Sequence, residues 1–365
     1  MFSFRLPSLP FNLPKARTAG FSLGDRTRER TIVDLANPLG FRLGSTSNTA
    51  SSHSLRKNEM PLPHSVFQPD PSSPVLDRVK QTPVPELNPP TLVVTTEIEA
   101  SKQQAAWAAV DRHILPHHIV IGIGSGSTVP YVVERIVAQG ADVNKHRVFI
   151  PTGFQSKELI VAANLRLGDV DQYPVIDVTI DGADEVDRDL NAIKGGGACH
   201  LREKVLAEAA DTFVPTNAEG PRSRDRLTHS FIIVADYRKN SEYLGTNWKA
   251  GVPVEVAPFA YAKVLQNLVL VGSQNPKLRM GKAKAGPVVS DNGNFIIDAP
   301  FSTEDLKDPL RILKLIKMLT GVVEVGLFCH MAEAAYFGNV DGSLTVRWAD
   351  GRVENLAKGA KIVVQ

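Results

Sequence analysis

Cysteine, long apolar runs and excess charge are all scarce in this sequence. Its 365 residues include 2 cysteines, Cys199 and Cys329, which provide neither a disulfide framework nor the CxxC spacing of zinc and iron–sulfur sites. No stretch approaches the roughly 20 apolar residues of a membrane-spanning helix. A formal net charge of +2 is too small for a surface that coats nucleic acid, so basic groups should act on a small anion. We therefore expect a cytoplasmic protein with no nucleic-acid or membrane partner.

Proline is spread unevenly along the chain. Thirteen of the 25 prolines precede residue 91, in a stretch that also contains the polar run 45–54. Such a segment buries too little to offset its ordering entropy, so residues 1–93 are predicted to be a disordered extension. The first 24 residues carry Arg5, Lys15 and Arg17 but no acid, which leaves organelle targeting as an alternative. Three prolines there interrupt an amphipathic helix.

Strand and helix patterns alternate in residues 94–251. Apolar runs predict strands at 119–123, 148–151, 175–180 and 231–235, and helical spacing predicts helices at 127–139 and 157–167. This alternation indicates an α/β fold with a parallel sheet covered by helices. Residues 252–326 mix strands at 252–256, 288–290 and 295–298 with helices at 261–270 and 310–319, around an Asn-Gly hairpin turn at 291–294. They predict a smaller α+β domain, after which residues 327–365 return to the first domain.

A glycine-rich loop at residues 122–128 lies between a predicted strand and a predicted helix. Backbone N–H groups, hydroxyls and the positive end of the helix converge there on an anion, so Ser125, Gly126, Ser127 and Thr128 are candidate phosphate-binding residues. The loop lacks the lysine of a Walker A motif and the glycine spacing of a dinucleotide fingerprint. The alternative is a tight strand-to-helix turn without a ligand.

The acidic segment 181–185 follows the predicted strand 175–180. Its carboxylates, Asp181 and Asp184 among them, should lie outside the carboxyl end of a parallel strand, where open α/β sheets bind ligands. Repulsion between crowded acids is expected to raise at least one pKa, which suits acid–base chemistry. The alternatives are a solvated acidic turn and a divalent-cation site.

The segment 194–197 combines a lysine with three glycines and leads into a predicted helix. Gly195, Gly196 and Gly197 let the backbone approach a ligand closely, and Lys194 can neutralise a developing oxyanion. Glu203, in the first turns of the helix, could remove a proton from a carbon next to a carbonyl. Its alternative is an ordinary surface acid in a run of alternating charge.

The histidines do not predict a metal centre. His113, His117 and His118 precede the first strand of the sheet, on the side away from the acids, and His200 and His330 are interpreted as structural. We therefore expect no metal and no cofactor.

Taken in order, residues 97–365 resemble the ribose-5-phosphate isomerase A family, apart from one interruption. The matching segments lie at 107–109, 124–128, 181–185, 194–197, 202–204, 235–236, 253–256, 291–294 and 326–328. The resemblance implies a Rossmann-like domain, a smaller ferredoxin-like domain, a metal-independent aldose–ketose isomerase, and a homodimer or homotetramer acting on a sugar phosphate.

The resemblance also implies roles for individual residues. Glu203 is the proton-transferring base, and Asp181, Asp184 and Lys194 contact the sugar oxygens. The loop 125–128 binds the phosphate together with Lys102 and Lys239. Gly182, Ala183 and the glycines 195–197 complete the substrate-binding set. We expect Asp181 to take the hydroxyl proton when the sugar ring opens.

Other interpretations stay open at this point. A non-catalytic sugar-phosphate sensor would share the glycine-rich loop without needing Lys194 or Glu203, and another sugar-phosphate isomerase or a phosphogluconolactonase could share the fold. Residues 214–230 interrupt the expected passage from helix to strand. They are predicted to be a loop without regular structure, or a retained intron in the gene model.

Overall fold

The computed structural model describes residues 96–210 and 230–359. The predicted extension 1–93 lies outside these residues, as does the predicted insertion 214–230 except for Ser230. Both stay predictions.

A seven-stranded sheet forms the centre of the larger domain. Its strands are β1 (Val120–Ile123), β2 (Val148–Pro151), β3 (Val178–Asp181), β6 (Ser230–Asp236), β12 (Ala334–Gly338), β13 (Leu344–Trp348) and β14 (Val353–Leu356). They are arranged in the order β14-β13-β12-β6-β3-β1-β2, with the five strands from β12 to β2 parallel. Because β1 lies between β2 and β3, the order in which successive strands are added to the sheet reverses at β1. Ligands of open α/β sheets bind at this kind of switch point, outside the carboxyl ends of the strands.

Helices cover both faces of this sheet. They are α1 (Glu97–His113), α2 (Val129–Ala138), the short α3 (Ala141–Asn144), α4 (Phe154–Ala162) and α5 (His200–Ala209). Thr96 caps the start of α1, since its hydroxyl accepts a hydrogen bond from the Glu99 N–H at 3.2 Å. The alanines of α1 pack against the sheet. The larger side chains of the same core, such as Ile121 and Val132, each contribute about 1.5–3 kcal/mol when fully buried.

Helix α5 lies on the opposite face from α1. It packs near a small three-stranded sheet of β4 (Glu185–Val186), β5 (Ala192–Ile193) and β11 (Leu327–Phe328). Phe231 and Ile233 of β6 and Phe328 of β11 share one apolar cluster with Ala207 of α5. Through this packing the start of α5 comes to the carboxyl end of β3.

The smaller domain is a βαββαβ unit, the order of ferredoxin-like folds. Its elements are β7 (Val252–Val256), α6 (Tyr261–Leu270), β8 (Lys277–Leu278), β9 (Phe295–Ala299), α7 (Pro309–Lys317) and β10 (Val322–Val325). The four antiparallel strands have the order β10-β7-β9-β8, and Val254, Leu268, Ile297 and Ile312 lie in its core. Three 3₁₀ turns complete the described elements at Tyr237–Lys239, Pro258–Ala260 and Asp305–Lys307. The predicted α/β class with a smaller α+β domain is therefore confirmed.

Most predicted elements exist, but several boundaries were wrong. The helix predicted at 157–167 begins three residues earlier and ends at Ala162, because Asn164 takes a left-handed conformation with φ of 54° and Leu167 then forms a bridge to Phe149. Residues 288–290 form no regular strand. Val289 makes one isolated bridge to Phe295, since the turn that follows bends the chain at once.

Across the described residues, no helix is both long enough and apolar enough to cross a membrane.

Candidate active site

A cavity of about 330 Å³ opens at the carboxyl edge of the main sheet. It brings together nearly all residues that the sequence singled out, although they come from five separate places in the chain. The predicted residues in its wall are Ser125, Gly126, Ser127, Thr128, Gly182, Ala183, Asp184, Lys194, Gly195, Gly196, Gly197, Glu203 and Lys239.

Asp181 lies beneath this wall, with no exposed surface. Its Oδ1 accepts hydrogen bonds from the Ser125 N–H at 2.9 Å and from the Gly182 N–H at 2.7 Å. The loop reaches it because position 124 is glycine, since a Cβ there would lie 2.0 Å from Asp181 Oδ1. Asp181 is not among the residues of the cavity wall, and its predicted direct contact with the substrate stays a prediction. The side chain holds the floor of the site.

Lys194 lies between two buried carboxylates. Its Nζ is 2.9 Å from Asp181 Oδ2 and 3.3 Å from Glu203 Oε2, and it donates a hydrogen bond to the Gly182 carbonyl. Burial raises the pKa of Asp181 to about 7, a rise that the ammonium of Lys194 opposes. Burial alone would lower the pKa of Lys194, but the carboxylates facing it hold that pKa above its ordinary value. The lysine therefore stays charged, and its positive charge can also stabilise a negative oxygen of a substrate.

Glu203 is held in place from two sides. Besides the contact with Lys194, its Oε1 accepts a hydrogen bond from the Ser125 hydroxyl at 2.5 Å. The side chain is 4% exposed, so the alternative of an ordinary surface acid is wrong. Its neighbours in the charge run point elsewhere: Arg202 pairs with Asp169, and Lys204 pairs with Glu324.

The acids of the segment 181–185 separate rather than crowd. Asp184 faces the cavity and accepts a hydrogen bond from the Gly196 N–H at 2.7 Å, and burial raises its pKa. Glu185 turns away to accept hydrogen bonds from the Gly245 and Asn247 N–H groups, both at 2.6 Å. Burial, not the predicted repulsion between neighbours, is thus the largest cause of the raised pKa values, and the coulombic effect of Glu203 is smaller.

Ser127, Thr128 and Lys239 also line the cavity. Ser127 and Thr128 immediately precede α2, whose positive end faces the same space. Lys239 lies over the ring of Trp248, 5.6 Å from its centre. Lys102 does not line the cavity; its Nζ pairs with Glu99 Oε1 at 2.7 Å.

Comparison with known proteins decides the family. Residues 148–218 and 224–342 match the model of ribose 5-phosphate isomerase A, also called phosphoriboisomerase A. The chain belongs to this family. The break in the match, at residues 219–223, falls inside the segment predicted to be an insertion.

Relatives and solved structures agree with this assignment. A ribose-5-phosphate isomerase of Cryptococcus neoformans is 66% identical over 273 residues, covering 73% of this chain and 84% of its own length. One of Schizosaccharomyces pombe is 55% identical over 256 residues, covering 70% and 85%. A solved D-ribose-5-phosphate isomerase in complex with phospho-erythronic acid is 33% identical, with a TM-score of 0.57, and covers 72% of this chain and 99% of its own.

Six residues in the cavity wall were not among the predicted site residues. They are Phe154, Gln155, Cys199, Ala235, Asp236 and Asp291. Asp236 ends β6 at the same edge as Asp181, so the rule that places sites at strand ends could have found it. Asp291 belongs to the turn of the smaller domain and accepts a hydrogen bond from the Phe154 N–H at 2.8 Å, a contact between segments that no local pattern predicts. Burial raises the pKa of Cys199 to about 12, so its thiol is protonated at neutral pH.

Within residues 96–210 and 230–359, no group of three or more His, Cys, Asp or Glu side chains is arranged so that it could hold a metal ion. His113 instead shares a hydrogen bond of 2.8 Å with the Tyr336 hydroxyl, and burial lowers its pKa to about 3.

Proposed function

We propose that this family member interconverts D-ribose 5-phosphate and D-ribulose 5-phosphate through an enediolate, with Glu203 as the base. One observation carries the proposal: a buried carboxylate, fixed by a hydroxyl and an ammonium group, lines a cavity whose wall also carries hydroxyl and ammonium groups that can bind an anion. The names of the relatives support it. The ligand of the solved relative, phospho-erythronic acid, is a phosphorylated sugar acid and therefore carries a phosphate and hydroxyl groups, as the proposed sugar-phosphate substrates do.

Proton transfer begins from the open-chain aldose. Glu203 removes the proton from C2, the electron pair of that C–H bond forms a C1–C2 double bond, and the carbonyl oxygen on C1 takes up the negative charge. The O2 hydroxyl then gives up its proton to the C1 oxygen, C2 becomes the carbonyl carbon, and Glu203 returns its proton to C1. Lys194 and nearby backbone N–H groups stabilise the oxygen charge.

Ring opening needs a second carboxylate. The sequence pointed to Asp181, but Asp184 is the aspartate that lines the cavity, so we assign the proton of the ring hydroxyl to Asp184. Asp181 then acts as a positioning residue, since it holds Lys194 and the backbone of the hydroxyl loop at once.

The phosphate end supplies binding energy at a distance from the reacting carbons. Hydroxyls of Ser127 and Thr128, the positive end of α2 and the ammonium of Lys239 converge there. Binding of the phosphate holds C2 against Glu203 and thereby contributes to the rate. We also propose that the protein acts in the cytoplasm and forms a homodimer or homotetramer. Light scattering of the purified protein would give its molar mass and so test the oligomeric state.

A single assay tests the function. Purified protein is expected to form the ketose from ribose 5-phosphate at the same rate with and without EDTA, because no step is assigned to a metal. The E203Q variant is the control for contaminating isomerase. A wild-type preparation without turnover would favour the non-catalytic sensor, and loss in EDTA that zinc or magnesium restores would contradict the assignment of the acids.

A further inference from the structure

One side chain of the smaller domain reaches the catalytic wall of the larger one. Arg279 Nη1 donates hydrogen bonds to the carbonyls of Gly195 at 2.8 Å and Gly196 at 3.1 Å. Its Nε and Nη2 donate to the two carboxylate oxygens of Asp298, at 2.9 and 2.5 Å. The bidentate pair fixes the plane of the guanidinium, and both side chains are mostly buried, at 16% and 20% exposed.

These contacts fix a peptide plane from both ends. The Gly195 carbonyl and the Gly196 N–H belong to one peptide unit, and they point in opposite directions because the bond is trans. Arg279 donates to the oxygen at 2.8 Å and shares it with the Ala198 N–H at 2.9 Å, while Asp184 accepts from the N–H at 2.7 Å. A rotation of this unit would therefore break a contact on each side.

The next peptide unit is aligned by the same guanidinium. Since the Gly196 carbonyl also points to Arg279, the Gly197 N–H of that unit points the other way, toward the side of the wall that carries Asp184. Gly197 lines the cavity and has open space around it, since a Cβ there would meet nothing within 4 Å. Two successive N–H groups are thus turned to the same side.

We propose that Arg279 is a positioning residue of the isomerase, which orients the peptide units of residues 195–197 so that Asp184 is held and the Gly197 N–H stabilises the enediolate oxygen. This inference depends on the proposed function. Arginine suits the task because one planar group serves two carbonyls and a carboxylate, which the single ammonium of lysine cannot do in the same geometry.

The test compares R279A and R279K with R135A. Arg135 makes an equally short bidentate pair with Asp111, 2.7 Å for both bonds, on helices α2 and α1, and does not line the cavity. We expect R279A to lower kcat on the order of tenfold to a hundredfold while KM changes less than about threefold, since a misplaced donor costs transition-state stabilisation more than binding. R279K is expected to be intermediate, and R135A to keep wild-type kcat.

Chemical rescue separates positioning from general damage. Methylguanidinium at concentrations that do not denature the protein should restore part of kcat in R279A and none in R279K, where the lysine occupies the space. Wild-type kcat in R279K and R279A, or an equal loss in R135A, would overturn the inference. If R279A is insoluble, an unchanged kcat in R279K overturns it alone. A wild-type enzyme without turnover would instead contradict the proposed function.

Discussion

Charged side chains at the amino and carboxyl edges of the main sheet have different environments, and the two ends of strand β3 show the difference. Asp177, just before the strand, accepts hydrogen bonds from the Ile119 and Val120 N–H groups at 2.6 and 2.8 Å and is only half-buried. Elsewhere along the amino edge, Arg112 pairs with both carboxylate oxygens of Glu354, at 2.8 and 3.3 Å, and stacks on Trp348. In both of these places at the amino edge, the carboxylates accept hydrogen bonds from matched donors.

Asp181, at the other end of the same strand, is fully buried and shares the ammonium of Lys194 with Glu203. Two carboxylates face one cation, in a place where removing charge from water costs several kcal/mol per ion. A pairing of this kind does not favour stability. It leaves an acidic group that takes up and releases protons near neutral pH, so the carboxyl edge serves chemistry and the amino edge serves the fold.

The largest difference is expected when one glutamate at each edge of the sheet is replaced by glutamine. We expect E203Q to lower kcat about a thousandfold because the base is lost while shape and binding remain, and E354Q to leave kcat unchanged. Ketose formation and the calorimetric affinity for phospho-erythronic acid measure the two effects. An E203Q enzyme that keeps a tenth of the wild-type rate would contradict the assignment of the base.

The pH profile tests the carboxyl edge as a whole. A raised pKa means that the carboxylate is lost as the pH falls through that value, so ionised Asp181 is depleted below about pH 7. If its charge is needed to hold Lys194, kcat should fall nearly a hundredfold between pH 8 and pH 5, as expected for one group of that pKa. Substrate-saturated rates across this range measure the fall. The residual activity of D181N should lack this limb, and the same limb in that variant would assign it to another group.

The smallest effects should come from the phosphate end. We expect K239A to raise KM about tenfold with kcat nearly unchanged, because a remote charge contributes to binding. K102A should raise KM less, since Lys102 pairs with Glu99 outside the cavity wall. The control is K145A, an exposed lysine close to the amino edge. Unchanged KM in both K239A and K102A would refute the phosphate role.

Local patterns in the sequence were sufficient for many of the elements and for bringing most candidate site residues to one edge of the sheet. The strands at 148–151 and 252–256 and the helix at 261–270 have the predicted bounds, because buried apolar runs and helical spacing report how each segment meets a core. The glycine-rich loop, the acids and the 194–197 segment were found because each follows or precedes a regular element. Parallel strands then bring the glycine-rich loop and the acids to one edge of the main sheet.

Only the tertiary structure decided which of these groups touch. Ser125 and Glu203 are 78 residues apart, and Arg279 and Gly195 are 84 apart. Their contacts depend on the strand order and on how the smaller domain packs, which no periodicity within one segment encodes. The same holds for Asp181 and Glu185, four residues apart in one acidic turn: one is buried against Lys194, the other satisfied by backbone N–H groups. The sequence alone determined that carboxylates gather at this edge, whereas the folded chain decided which of them face Lys194 and the cavity, and burial there raises the pKa of Asp181 and of Asp184.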